Sequence, residues 1–483
     1  MNSSAKSRGA ITGVLAASAA VTGLFAGAAF GSAPAANASC ASFFGLGNNA
    51  DCTSGPLSIA IAIGNGATAH ASGLFGAAFA TGTNATATTG DAFTFATALG
   101  DGSVATANGV FGIATQIGPN GAAITQGSGT LGNLGVNIAL NVTTPNSAAN
   151  GSTVTAGGAG GGGNIAVNLL GRATAMNSMN VTAHGLLNIA TNVGGVNNLI
   201  ESGDAATSSL LNLTTNLFGS NTAVTAEGGV FNWATNLFGD NNTVSTVGSL
   251  VNTASNLFGS NNTVTTNGGY ANWARNILGN GNTVTITGGY GNAVRNLFGS
   301  GNIVESTGGG YGNTVQNWFG AGNAVTVAAG IYNTASNLLG GNGNTLTSTG
   351  GYQNSVFNLI GSNNTLTVGG AGSNYNLVVN TLGNSNAVTA GGTGGNFTAG
   401  FNVFGGTNTV SAGPGPGALA GTIFANGGTV TQQNTGISIN NFHIGAARTP
   451  GGQSSKAPAA KSGDTGKKTA KAAGTGGSKR GNR

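Results

Sequence analysis

Charged side chains are scarce in this chain of 483 residues: Asp, Glu, Lys and Arg together make up 5% of it, with nine acids and three histidines. An ordinary soluble domain carries roughly 25% charged residues. This scarcity disfavours catalysis by dispersed acids and bases, and it disfavours a strongly acidic or basic globular binder. We therefore expect no enzyme activity, and the sequence indicates no cofactor and no metal site.

Proline and cysteine are also rare, with eight and two residues, whereas glycine reaches 91. Glycine and proline together make about 20% of the chain, below the roughly 25–30% that is typical of aperiodic disorder. Hydrophobic residues make up 39%. The composition therefore allows a buried core.

Long hydrophobic runs are missing except near the N-terminus. Lys6 and Arg8 precede an apolar stretch over residues 10–30, and Ala36-Asn37-Ala38 forms a small-residue cleavage pattern. This order is typical of a secretory signal peptide. We predict that residues 1–38 are removed and that the mature chain, starting at Ser39, has no transmembrane span and is secreted or held at the cell surface or cell wall. The alternative is an uncleaved membrane anchor.

The two cysteines, Cys40 and Cys52, follow the predicted cleavage site closely. In an oxidising compartment such a pair usually forms one disulfide, which would staple the segment 39–55. The alternative that Cys40 is the lipidated first residue of a lipoprotein lacks the usual aliphatic residue before the cysteine. No histidine lies near enough to favour a metal site.

Charge is distributed unevenly along the chain. Residues 39–445 contain three arginines and eight acids, whereas residues 446–483 contain nine cations and one acid. The second segment has no aromatic residue and is rich in Lys, Ala, Gly and Ser, so we predict a disordered basic tail. Its candidates for binding anionic envelope polymers or host glycans are Lys456, Lys461, Lys467, Lys468, Lys471, Lys479 and Arg480. No nucleic-acid partner is expected for an exported chain.

Repetition is the strongest positive signal in the sequence. The phrase Asn-Leu-Phe-Gly or a close relative recurs every 20–22 residues over 211–445, with its glycine at Gly219, Gly239, Gly259, Gly279, Gly299, Gly320, Gly340, Gly361, Gly383 and Gly405. Over 56–128 a related unit recurs at a shorter, constant interval, at Gly64, Gly82, Gly100 and Gly118. The pattern loosens over 129–210, which we interpret as irregular coils with insertions.

Each half of a unit alternates like a strand. In Asn262-Thr263-Val264-Thr265 the Asn and Val share one face and the threonines share the other. A short unit of this kind cannot bury its apolar face alone, but stacked units bury a continuous core. We predict an all-β, elongated parallel β-solenoid (a β-helix or β-roll) of about 18–22-residue coils, with stacked columns of Val, Leu and Asn. The alternative is a disordered Gly-rich chain.

A column of aromatic residues is the clearest candidate binding feature of the repeats. Tyr270, Tyr290, Tyr311 and Tyr352 each follow a mid-unit glycine, and Tyr332 stands one place later. Such side chains could stack on sugar rings or on a partner protein. The alternative is that the rings stack on one another and support the corners.

Two resemblances follow from these repeats. Asn-Leu-Phe-Gly-x-x-Asn-x-Val units behind an export signal resemble the Gly- and Asn-rich repeat proteins of the mycobacterial cell envelope, the PGRS and MPTR kinds, although those carry a PE or PPE domain and this chain has a signal peptide instead. The stretch Ser58-Ile59-Ala60-Ile61-Ala62-Ile63-Gly64-Asn65-Gly66-Ala67-Thr68-Ala69 is similar to head repeats of trimeric autotransporter adhesins. Both resemblances imply a surface or secreted β-solenoid with an adhesive role, and neither assigns a functional residue.

Together these patterns predict an exported, non-enzymatic structural or adhesive surface protein. Its expected partners are anionic envelope polymers or host glycans, with other surface proteins as a further class. The alternative is a β-helix enzyme that acts on cell-wall polysaccharide through a site in the irregular coils between Pro119 and Ser209.

Overall fold

A computed structural model of the chain describes residues 39–127, 135–144, 151–158, 161–174, 177–204 and 209–445. These residues form an all-β parallel solenoid without any helix, which confirms the predicted fold. The part of the chain described therefore contains no helix long and apolar enough to cross a membrane. The predicted signal peptide, 1–38, and the predicted basic tail, 446–483, lie outside the described residues.

Forty-one strands make up the described solenoid. In chain order, the first twenty are β1 (Ser39–Phe43), β2 (Leu46–Gly47), β3 (Cys52–Ser54), β4 (Ile59–Ile63), β5 (Thr68–Ala71), β6 (Ala77–Thr81), β7 (Thr86–Thr89), β8 (Phe95–Leu99), β9 (Val104–Ala107), β10 (Ile113–Ile117), β11 (Ala122–Gln126), β12 (Ile138–Val142), β13 (Ser152–Gly157), β14 (Ile165–Leu169), β15 (Met179–Ala183), β16 (Ile189–Val193), β17 (Leu199–Ser202), β18 (Leu213–Leu217), β19 (Ala223–Glu227) and β20 (Trp233–Phe238). The remainder are β21 (Thr243–Val247), β22 (Thr253–Phe258), β23 (Thr263–Asn267), β24 (Trp273–Leu278), β25 (Thr283–Thr287), β26 (Ala293–Phe298), β27 (Ile303–Thr307), β28 (Thr314–Asn317), β29 (Ala324–Ala328), β30 (Thr334–Asn337), β31 (Thr345–Thr349), β32 (Ser355–Ile360), β33 (Thr365–Gly369), β34 (Leu377–Leu382), β35 (Ala387–Gly391), β36 (Ala399–Val403), β37 (Thr409–Ala412), β38 (Ala418–Ile423), β39 (Thr429–Gln432), β40 (Gly436–Ile439) and β41 (Phe442–Gly445).

The coils stack into two parallel sheets. Sheet A consists of the even-numbered strands from β4 to β40, and sheet B of the odd-numbered strands from β3 to β39. Each pair of strands β4–β5 to β38–β39 makes one turn, so the solenoid has about 18 turns. At about 4.8 Å per turn, the stack measures roughly 85 Å along its axis.

The register between coils follows the repeat spacing of the sequence. Ile59 pairs with Ala77 and Ala77 with Phe95, so these coils share the constant short interval of the first glycine series. Ile138 pairs with Ile165 and Ile165 with Ile189, so the coils of the irregular segment are longer. The same ladder of paired strands continues through these longer coils, so the sheet is not interrupted there.

Small and branched side chains fill the inside of the solenoid. In sheet B the inward column is aliphatic, with Val244, Val264 and Val284 fully buried. In the first coils both sheets turn alanines inward, as at Ala60, Ala62, Ala78 and Ala80 in sheet A, so the two sheets enclose a core of methyl groups. Most strands alternate buried positions with more exposed ones, as in β23 and β25, which is what period-2 patterning predicts.

From the middle coils onward, sheet A carries an asparagine ladder in its core. Its members are all fully buried and are Asn141, Asn168, Asn192, Asn216, Asn236, Asn256, Asn276, Asn296, Asn317, Asn337, Asn358, Asn380 and Asn402. From Asn168 onward, each Nδ2 donates a hydrogen bond to the Oδ1 of the asparagine in the preceding coil at 2.7–2.9 Å. At the C-terminal end, Thr422 Oγ1 donates to Asn402 Oδ1 at 2.7 Å. The ladder therefore satisfies polar groups that would otherwise be costly to bury.

Further asparagines hold the corners together. The backbone N–H of Asn282 donates to Asn262 Oδ1 at 2.9 Å, and Asn262 Nδ2 donates to the carbonyl oxygen of Gly279 at 2.9 Å. Asn262 Nδ2 also donates to Asn256 Oδ1 at 3.2 Å, which links this corner to the core ladder. The side-chain amide thus takes the place of a peptide group between successive coils.

Corners also require the left-handed backbone conformation. Gly259, in the indexed glycine column, has a φ of +121°, and a Cβ there would collide with the carbonyl oxygen of Gly279 in the next coil. Val251 lies at another corner position and has a φ of +55°. The same position is occupied by Ala271 in the next coil and by Gly291 in the coil after that. A β-branched residue is strained in this region.

Antiparallel strands pair with both ends of sheet A. At the N-terminal end β1 lies antiparallel on β4, β2 folds back on β1, and a disulfide joins Cys40 of β1 to Cys52 of β3. At the C-terminal end β41 lies antiparallel on β40. Unpaired strand edges invite association with other chains, so the terminal strands limit such contacts.

Candidate binding surfaces of the solenoid

Sheet B presents a polar outer face. Its outward positions are mostly Thr and Ser, as at Thr263, Thr265, Thr283 and Thr285. Hydroxyls in successive coils bond to one another, for example Thr265 Oγ1 to Thr285 Oγ1 at 3.4 Å. This face resembles an ordinary solvated strand surface.

Sheet A presents a much more apolar outer face. Its outward side chains include Ile59, Ile61, Ile63, Ile113, Ile117, Ile138, Leu140, Val142, Ile165, Val167, Leu169, Ile189, Val193, Leu213, Leu217, Leu237, Leu257, Ile277, Leu297, Leu338 and Leu359. Five residues per strand over about 18 turns give a face on the order of 1,400 Å². This extent includes polar positions such as Thr215, Ser255 and Gln316. Exposed apolar side chains grouped on one face are typical of a contact site for another macromolecule.

A corner column of large apolar residues extends the same face. Phe218, Phe238 and Phe258 stack with ring centroids 5.2–5.7 Å apart, and Phe298 stacks on Phe319 at 4.9 Å. All five are about 40% or more exposed. These phenylalanines belong to the repeated Asn-Leu-Phe-Gly phrase, which therefore encodes an exposed apolar edge.

The predicted tyrosine column lies at the corner that leads into sheet A. Tyr270, Tyr290, Tyr311, Tyr332 and Tyr352 form a continuous series with centroid distances of 5.0–6.2 Å between neighbours. The series continues through Tyr375 and Phe397, which our reading of the sequence missed because they are shifted by one position. Tyr375 and Phe397 are as many residues apart as Gly361 and Gly383 of the repeated phrase. This equal spacing was the sequence signal for the two additional rings.

The tyrosine rings stack on one another and remain partly exposed. Tyr290 and Tyr311 are stacked with an interplanar angle of 1°, so each covers one face of the other. Tyr332 meets Tyr311 and Tyr352 edge to face. A hydrogen bond with Tyr311 and partial desolvation raise the pKa of Tyr332 above its ordinary value. The column thus offers mainly ring edges and hydroxyls to a ligand, and its role in ligand stacking stays a prediction.

A cleft of about 180 Å³ interrupts the apolar face of sheet A. Its walls include Trp233 and Trp273, which are 50% and 55% exposed, and Arg275 and Arg295 lie beside them. The guanidinium carbon of Arg295 lies over the Trp273 ring at 6.0 Å from its centroid. Arg275 and Arg295 are one repeat apart in the sequence, and the structure pairs them in neighbouring strands with the two tryptophans beside them.

A second cavity, of about 250 Å³, lies beside the longer coils. It is lined by His184, Glu201, Gly203, Asp204 and Glu227. Burial raises the pKa of Glu201, and the neighbouring carboxylate of Glu227 raises it further, against a smaller opposing effect of His184. His184 Nδ1 bonds to the carbonyl oxygen of Gly157 at 2.6 Å.

Two further sets of residues are the other histidines and the cations of the predicted tail. The other histidines, His70 and His443, bond to Thr53 Oγ1 and Ser438 Oγ, each at 2.8 Å. Within the described ranges, no group of three or more His, Cys, Asp or Glu residues could hold a metal ion. The tail candidates Lys456, Lys461, Lys467, Lys468, Lys471, Lys479 and Arg480 lie outside the described residues.

Comparison with known protein families, with curated proteins and with solved structures finds no significant match to this chain.

Proposed function

We propose that this protein is an exported, non-enzymatic structural or adhesive component of the cell envelope or its surroundings. The observation that carries the proposal is the ladder of buried asparagines, which runs without interruption from Asn141 to Asn402. Fully bonded buried networks rigidify a structure, and a stiff stack of about 18 turns suits a spacer or a display surface. The resemblances to envelope repeat proteins and to adhesin heads support the same role.

Two features supply the contacts that such a protein needs. The apolar outer face of sheet A and its phenylalanine edge fit another surface protein. The basic tail fits anionic envelope polymers or host glycans, since each Lys or Arg adds a salt-sensitive attraction. In this proposal the tail tethers the protein, and the solenoid presents its faces to partners.

The experiment compares the full chain with a full-length variant in which the tail cations are neutralised to glutamine. Binding to intact cells and to immobilised heparin is measured across a salt series. We expect the parent chain to bind and to lose affinity steeply with salt, and we expect the variant to bind weakly. Equal binding by both proteins, insensitive to salt, would refute the tether. Residues neutralised in the variant are Lys456, Lys461, Lys467, Lys468, Lys471, Lys479 and Arg480.

Export is tested separately by cell fractionation and N-terminal sequencing. The proposal requires the protein outside the cytoplasm with Ser39 as its first residue. Recovery of an intact Met1 in the cytoplasmic fraction would remove the basis for an envelope role.

The Glu201 cavity favours a second candidate, an enzyme that acts on wall polysaccharide. Two carboxylates with different protonation states are the usual equipment of a glycosidase, and the raised pKa of Glu201 beside Glu227 fits a general acid. The test measures release of reducing ends from isolated cell wall by the parent chain and by Glu201→Gln. Activity that disappears in the variant supports the enzyme, and no activity in either protein excludes it for that substrate.

A further inference from the structure

Arg275 and Arg295 stand out because they are adjacent cations in an apolar sheet. They occupy paired positions in neighbouring strands β24 and β26, and both are exposed. Like charges directly opposite each other in a sheet destabilise it. The side chains in register around the pair are uncharged: Ser255 and Gln316 in the same column, and Trp273 and Ala293 in the column beside it. An anion bound between the two guanidinium groups would remove this repulsion.

The tryptophans form a slot next to these cations. Trp233 pairs with Thr253, and Thr253 pairs with Trp273, so the two tryptophans are two coils apart with a small residue between them. At about 4.8 Å per coil, a flat ring above Thr253 would lie about 4.8 Å from each indole. That distance is within the roughly 4.5–7 Å at which rings stack favourably.

The orientation of Trp273 directs one of its faces into this slot. Arg295 belongs to the coil after Trp273, and its guanidinium lies over the indole ring. One face of the indole therefore points toward the following coil. The opposite face must then point toward the preceding coil, where Thr253 forms the base of the slot. The cation–π contact also holds Arg295 and Trp273 in place before a ligand arrives.

We propose that this cleft binds a six-membered sugar ring that carries a carboxylate or sulfate group. The ring lies between Trp233 and Trp273, because a sugar presents an apolar C–H face that packs on indole. Arg275 donates paired hydrogen bonds to the anionic group, and the hydroxyls of Thr253 and Ser255 bond to the sugar hydroxyls. Both indoles are half exposed, so further sugars of a polymer can leave the cleft along the face. This site lies on the solenoid itself and does not depend on the tail or on export.

Tryptophan fluorescence provides a direct readout, because the chain has three tryptophans and two of them form the cleft. The full chain is titrated with oligogalacturonate, with a heparin oligosaccharide and with neutral maltohexaose. We expect at least one of the two acidic probes to bind at least tenfold more tightly than maltohexaose, as measured by the change in tryptophan emission. Binding of oligogalacturonate alone identifies a carboxylate site, and binding of heparin alone identifies a sulfate site.

Variants separate the cleft from other parts of the protein. We expect Trp273→Ala and Arg275→Gln each to weaken binding at least tenfold, and Thr253→Trp to abolish it by filling the slot while the sheet stays intact by circular dichroism. Trp318→Phe, outside the cleft, is the matched control and keeps full affinity. The tail-neutralised chain keeps the fluorescence change, which distinguishes this site from the proposed tether.

Three results would overturn the proposal. The first is no fluorescence change with either acidic probe. The second is unaltered affinity in folded Thr253→Trp and Arg275→Gln. The third is tighter binding of adenosine monophosphate than of any sugar, which would identify a nucleotide site and exclude a glycan site.

Discussion

Replacing one ladder asparagine by aspartate tests the internal hydrogen-bond network directly. Asn276 is fully buried in β24, and its Nδ2 donates to Asn256 Oδ1 at 2.7 Å. Its Oδ1 accepts from Asn296 Nδ2 at 2.8 Å and from Asn282 Nδ2 at 3.2 Å. A carboxylate at this position would keep the two accepted bonds, but it would place an oxygen without a proton against the Asn256 oxygen. Asn276→Asp therefore removes one hydrogen-bond donor and leaves the volume of the side chain almost unchanged.

The structure gives the size and the sign of the effect. Burial and the unfavourable oxygen pair both disfavour the charged form, so the folded-state pKa of the introduced carboxyl rises above its unfolded value of about 3.9. A rise of about 3 units corresponds to about 4 kcal/mol. Since the folded protein holds this proton more tightly, the free energy of unfolding falls as the pH rises from about 4 through the raised pKa. At pH 7 we expect a loss of about 4 kcal/mol, and below about pH 4 a loss within about 1 kcal/mol, because the protonated acid donates in place of the amide.

Urea unfolding of the full chain at pH 4 and pH 7, followed by tryptophan fluorescence, measures this difference. Trp273 lies in the same strand as the substitution and reports on the affected coils, which matters because repeat proteins can unfold in parts. Asn267→Asp is the matched control, since Asn267 is exposed at the end of β23 and should show no such pH dependence. A loss in Asn276→Asp that is the same at both pH values would refute the role of Asn276 Nδ2 as a buried hydrogen-bond donor.

Three other substitutions probe separate features of the fold. Thr266 is buried with no hydrogen-bond partner for its hydroxyl, and the next coil has Ile286 in the same column. We expect Thr266→Val to raise the free energy of unfolding by about 1 kcal/mol in a urea titration. A lower free energy of unfolding would mean that the hydroxyl is hydrogen-bonded. Val251→Gly removes a strained left-handed valine and should stabilise by up to about 1 kcal/mol, whereas a decrease in melting temperature would contradict the strain. Burial raises the pKa of Glu201, so the charged carboxylate destabilises the fold above that pKa. Glu201→Gln should therefore raise the melting temperature at pH 7. This gain should vanish well below pH 4.5, the ordinary pKa of the side chain. An equal rise in melting temperature at all pH values would mean that Glu201→Gln acts through packing and not through the charge.

The sequence was sufficient for the architecture because related units recur at regular spacing over residues 56–128 and 211–445. A single Asn262-Thr263-Val264-Thr265 segment is ambiguous, but many copies at one spacing leave few alternatives to stacked strands. The inward asparagines could be placed because their spacing matches that of the valines. The direction of each amide could not, since that depends on which neighbouring coil offers an acceptor.

The candidate binding surfaces were less accessible to sequence reasoning. The tyrosine column was visible, but whether rings face each other or a ligand depends on side-chain angles. The cleft requires Trp233 and Trp273 to lie on one face with Thr253 between them, and this follows only from the register. Glu201 and Glu227 lie in the neighbouring strands β17 and β19 and line one cavity, and the offset between the two positions follows only from the register of these strands.

The asparagine ladder also gives the solenoid an electrical direction. In a parallel sheet successive peptide groups point alternately up and down the stack, so their dipoles largely cancel. The twelve ladder amides from Asn168 to Asn402 do not alternate, because each Nδ2 donates to the preceding coil and each Oδ1 accepts from the following one. Aligned hydrogen bonds polarise one another, and aligned dipoles leave partial charges at their ends. The end of the ladder at Asn168 is therefore the more positive one, and the end at Asn402 the more negative one.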